Sequence, residues 1–79
     1  MTQQAINNYF SNTGYTPGGS DTWVDVTGDF TFTTGPDELK MAYTSDYVAI
    51  VKNNLLTSGA VLEDWITRQE QAAQDPSEN

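Results

Sequence analysis

The strongest periodicity in the chain lies near its carboxyl end. Val61, Leu62, Trp65, Ile66, Ala72 and Ala73 recur at helical spacing, with Glu63, Asp64, Arg68, Glu70 and Gln71 facing away from them. Thr57 or Ser58 supplies the N-cap, because a short hydroxyl side chain accepts a hydrogen bond from one of the first free amides. The pattern predicts a helix over 58–74, stopped by Pro76 and followed by a disordered tail over 76–79. Asp64 and Arg68 stand four apart on its polar face, a pairing worth about 0.3 kcal/mol. At the other end, Ala5, Ile6, Tyr9 and Phe10 share a face behind Thr2 as cap, which predicts a short helix over 2–11. Asn7, Asn8 and Asn12 are poor helix formers and weaken it.

Between these segments the period changes to two. Over 22–34, Val24 and Val26 alternate with Trp23, Asp25 and Thr27, Gly28-Asp29 marks a turn, and Phe30 and Phe32 alternate with Thr31 and Thr33. The segment reads as a β-hairpin with threonines on its wet side, where the branched Cβ suits the pleat and the hydroxyl stays hydrated. The preceding GYTPGGS, 14–20, reads as loop because Pro17 and Gly18-Gly19 break any period. Residues 36–56 admit two readings. As strands, Leu39, Met41 and Tyr43 form one face and Tyr47 to Val51 a second strand, with Ser45-Asp46 as the turn. As helices, Pro36 opens the first with Asp37 and Glu38 in its first turn, and Ser45 caps a second. Strands over 39–44 and 47–52 are preferred, because Val48, Ile50 and Val51 are β-branched. The expected fold is α+β: one domain over 1–75, a small antiparallel sheet packed by the final helix, with a short helix at the amino end.

Composition narrows what can hold this fold together. The chain has 79 residues, no cysteine and no histidine. Neither a disulfide nor a zinc site can staple it, so the core must come from two Trp, four Tyr, three Phe and the aliphatic residues. The amino terminus carries no basic and apolar leader pattern, and no apolar run approaches bilayer length, so a soluble, cytoplasmic protein is the expectation.

Charge changes the picture most. Eleven acidic side chains against three basic ones give a net charge of −8. The acids cluster in two places. Asp21, Asp25, Asp29, Asp37 and Glu38 fall in 21–38 without a base, and Glu63, Asp64, Glu70, Asp75 and Glu78 follow in 63–79 with Arg68. Such a surface repels nucleic acids and anionic membranes and attracts a protein partner with a basic surface. If Trp23 points outward from its strand, Asp21, Trp23 and Asp25 project together, a row of two carboxylates around an aromatic anchor. The competing register puts Trp23 in the core. The outer face of the final helix, with Glu63, Asp64 and Glu70, makes a second negative surface, for which ordinary solvation is the plainer explanation.

Enzyme chemistry finds little support, since no nucleophile elbow, phosphate-cradling glycine loop or zinc motif is present, and no cofactor is implied. Asp21, Asp25 and Asp29 recur every four residues but lack the ligand spacing of a calcium loop, and read as solvated strand and turn acids. In its general character (short, acidic, one domain, without catalytic residues) the chain resembles phage- or plasmid-encoded inhibitors, such as anti-CRISPR, anti-restriction and toxin-neutralising immunity proteins. The likeness is one of composition. It implies a non-enzymatic inhibitor of a basic nucleic-acid-binding partner, acting by charge mimicry through Asp21, Trp23, Asp25, Asp29, Asp37, Glu38, Glu63, Asp64 and Glu70. The alternative is a small structural or assembly module that docks through Ile6, Tyr9, Phe10 and Tyr15.

Overall fold

In the computed structural model, which describes residues 1–44 and 46–74, the two helices begin where their caps predict. The Thr2 hydroxyl accepts from the Ala5 amide at 3.1 Å and opens α1, Gln3–Asn12. The Ser58 hydroxyl accepts from the Val61 amide at 3.3 Å and opens α2, Gly59–Ala73. Ile6 and Phe10 of α1, and Leu62 and Ile66 of α2, are buried, one turn apart in each helix as the apolar stripes require. Val61 and Ala72, read as part of the α2 stripe, stay exposed at its margin.

Both helices pack on one face of a five-stranded antiparallel sheet: β1 (Thr16–Gly19), β2 (Thr22–Val24), β3 (Phe30–Thr34), β4 (Glu38–Tyr43) and β5 (Tyr47–Lys52), in chain order. A 3₁₀ turn, Asn53–Leu55, leads from β5 towards α2 and drops Leu56 into the core. Phe30 and Phe32 from β3, and Leu39 and Met41 from β4, meet the helix residues in a single cluster. Each such side chain contributes about 1.5–3 kcal/mol on leaving water, so the middle strands and the helix stripes hold the molecule together. The opposite face carries Thr31, Thr33, Lys40, Ala42, Val48 and Ile50, and no element covers it among the described residues.

Residues 36–56 therefore form strands rather than helices, and Leu39, Met41 and Tyr43 share a face as their alternation requires. The turn reading at Ser45-Asp46 falls partly on Ser45, outside the described residues, as does the tail over 76–79. Asp46 donates its amide to the Tyr43 carbonyl at 3.4 Å.

Two expectations are corrected. Residues 14–20 are not all loop, because Thr16–Gly19 pairs with β2 as an edge strand. Proline is admitted there since an edge strand leaves one row of amides without a ladder partner. The other correction concerns Trp23. It pairs with Phe32, so its side chain shares the helix-facing side of the sheet. The indole lies 6.1 Å from Phe10 at an interplanar angle of 21°, and its Nε1 donates to Asn7 Oδ1 at 2.9 Å. Trp23 is thus not an outward anchor between Asp21 and Asp25. The register follows from a longer hairpin loop than Gly28-Asp29 alone: β2 ends at Val24, and Val26 lies in the loop, 88% exposed.

Candidate acidic site

The loop after β2 owes its shape to Asp25. Its amide donates to the Phe30 carbonyl at 3.1 Å, and its carboxylate accepts from the Phe30 amide at 3.2 Å. The Thr27 hydroxyl lies 2.8 and 2.9 Å from the two carboxylate oxygens and accepts in turn from the Asp29 amide at 3.2 Å. A short acid able to reach back over its own turn is what the position needs, and the left-handed backbone of Gly28 (φ +80) completes the reversal.

This loop forms one wall of an open cleft of about 250 Å³. Asp25 and Val26 face Glu70 of α2 across it, with Thr13, Gly14 and Tyr15 as the third side. Tyr15 is set rigidly, edge-on to Phe10 at 4.8 Å and to Phe32 at 5.5 Å. Its hydroxyl pKa is pushed up to about 12, first by burial and then by the negative charges of Glu70, Asp25 and Glu63 and by Tyr9. Burial also raises the Glu70 carboxyl above its ordinary value, and the Asp25 carboxylate adds to the effect. Tyr9 is raised by burial, then by Glu63 and Glu70. Three acids from two separate acidic segments therefore act on one pair of tyrosines. Glu70, expected on the outer face of its helix, is instead half-buried and turned towards the cleft.

The other sequence candidates do not join them. Asp21 stands in the β1–β2 turn at the opposite end of the sheet, where its carboxylate accepts from Asn7 Nδ2 at 3.4 Å. Asp37 and Glu38 lie at that same end. The Asp37 carbonyl accepts from the Asn53 amide at 2.9 Å, and Glu38 pairs with Lys52 across the exposed ladder at 3.7 Å. Asp64 is held by Arg68 at 2.8 Å, and exposed pairs of this kind add little to stability. Asp29 is exposed in the hairpin loop. Trp23 is taken up by the core.

The assembly residues fare similarly. Ile6 and Phe10 are fully buried and unavailable for docking, whereas Tyr9 and Tyr15 keep one side open. The involvement of Tyr15 and Val26 with Asp25 and Glu70 carried no sequence signal, because the cleft exists only where the end of α1, the β2–β3 loop and α2 converge. Among the described residues no group of three or more carboxylates is arranged to share a cation, and no helix is long and apolar enough to cross a membrane. Lys40 and Lys52 both project from the uncovered face of the sheet, away from the helices. The acidic cleft and the two lysines thus occupy different sides. Comparison with protein-family models, curated proteins and solved structures finds no significant match.

Proposed function

We propose that the chain is a non-enzymatic, cytoplasmic acidic binding protein that inhibits a basic, nucleic-acid-binding partner by charge mimicry. Its carboxylates take Arg and Lys positions that otherwise hold phosphates, and its net charge speeds encounter. The supporting observation is the convergence of Asp25 and Glu70 on one cleft, at a position where each additional negative charge is disfavoured. A guanidinium or ammonium group entering between them relieves that repulsion and gains two charge-assisted hydrogen bonds. Tyr15 and Val26 add an aromatic edge and an exposed apolar side chain against which the stem of such a group packs. The contact patch is smaller than the sequence implied: Asp25, Glu63 and Glu70, rather than all nine candidates.

Anisotropy titration with a labelled arginine-rich peptide tests this reading. Binding should weaken steeply as salt rises, because exposed charges are screened within about 8–10 Å near physiological ionic strength. Glu63→Lys with Glu70→Lys should abolish it, while Asp37→Lys with Glu38→Lys should change it little. Affinity that ignores salt, or that falls equally in both variants, overturns the reading. In competition, the wild-type chain should displace duplex DNA from a basic DNA-binding domain. The second reading, an assembly module, is favoured by a different observation: Val48 and Ile50 are each 54% exposed on the uncovered side of the sheet.

A further inference from the structure

The two edges of the sheet are built differently. β1 carries Pro17, Gly18 and Gly19, and its register shifts between Pro17 and Gly19, devices that blunt an edge against further pairing. β5 has none of them. Its six residues, YVAIVK, run in unbroken register against β4 and contain no proline, no glycine and no charge before Lys52. Asn53 donates its amide to the Asp37 carbonyl. By the alternation of an antiparallel ladder, residues 47, 49 and 51 then bond to β4 while Val48, Ile50 and Lys52 direct their N–H and C=O groups away from the sheet.

We propose that β5 pairs antiparallel with β5 of a second copy about a two-fold axis, joining two five-stranded sheets into one. Residues opposite each other across a ladder share a face, and this limits the registers. Tyr47, Ala49 and Val51 face the helices, whereas Val48, Ile50 and Lys52 face away. A register centred on Ala49 sets Val48 beside the partner's Ile50 and Tyr47 beside the partner's Val51. A register centred on Ile50 sets Val48 beside the partner's Lys52, an apolar side chain against an ammonium group. The apolar match therefore selects the Ala49 register. In it the exposed Val48 and Ile50 cover one another, while Lys52 stays with Glu38 of its own β4. On a molecule of net charge −8, β5 itself carries Lys52 and no acid, so two copies meet along it without opposing carboxylates, while the cleft side would bring acids together.

Sedimentation equilibrium on the full chain, across tens to hundreds of micromolar, should show a monomer–dimer equilibrium. Ile50→Pro removes an amide that points away from β4, so the fold should survive by circular dichroism while the dimer weakens about tenfold or more. The chain has no cysteine, so Ala49→Cys gives a single thiol. Facing copies of residue 49 form a non-hydrogen-bonded pair with Cα atoms about 4.5 Å apart, within disulfide reach. That variant should cross-link under mild oxidation, and Thr33→Cys, at the middle of the uncovered face, should not. A monomer at every concentration, a dimer that Ile50→Pro leaves intact, or equal cross-linking at position 33 overturns the proposal. If Ile50→Pro unfolds the chain, absence of the residue-49 cross-link overturns it.

Discussion

Asn7 Oδ1 accepts from Trp23 Nε1 and from the buried Thr34 hydroxyl at 2.7 Å, so one α1 amide ties that helix to β2 and β3. In the sequence Asn7 is only a poor helix former; its value depends on Trp23 pointing inward, which the alternation left open. Asn7→Leu leaves the indole N–H without its acceptor and should lower stability by about 2 kcal/mol, read by urea unfolding. Glu70 works in the other direction. A carboxyl whose folded pKa is raised binds protons more readily in the folded state, so stability falls as pH rises through that pKa. Glu70→Gln should therefore stabilise the protein at neutral pH by less than about 1 kcal/mol, given its partial exposure. The gain should shrink on acidification and vanish below the ordinary glutamate value, as thermal melts across pH would show. Under the charge-mimicry reading the same change also weakens peptide binding, a stability–function conflict typical of binding sites.

Both helix caps, the α2 stripe and the β3–β4 alternation were legible because each depends on side chains within one element. β1 was not. All four of its residues are exposed, so backbone pairing rather than a side-chain pattern makes it a strand. The turn that follows hides its nature too: Ser20 (φ 46) and Asp21 (φ 62) both adopt left-handed backbone, as a two-residue hairpin turn demands, without the usual Asn-Gly. Each such residue costs about 1–2 kcal/mol less as glycine when nothing else changes. Ser20→Asn with Asp21→Gly should therefore stabilise the hairpin by about 1 kcal/mol in chemical denaturation, net of the distant Asn7 contact it gives up. It should leave arginine-peptide binding unchanged, because Asp21 lies at the far end of the sheet from the cleft.

Over the whole molecule, composition gave the amount of charge and chain topology gave its distribution. Two acidic segments were visible in the sequence, but their partial meeting at Asp25 and Glu70 depends on where α2 crosses the sheet, which no local pattern encodes. The same holds for the two lysines, whose shared face follows from the β4–β5 register.

The connection from Met1 to the end of β5 has a kinetic consequence. Its ammonium donates to the carbonyls of Asn53, at 2.7 Å, and of Leu56, more than fifty residues away, whereas every strand pairs with its neighbour in the chain. Neighbouring strands close short loops, so the sheet can zip from β3–β4 outward, while α1, seated on β2 and β3 through Asn7 and Phe10, gains its Met1 anchor only when β5 and Leu56 are in place. Chevron analysis should accordingly show Phe32→Leu slowing folding and Ile6→Ala mainly accelerating unfolding. The first helix in the chain then completes its docking only after the last strand has formed.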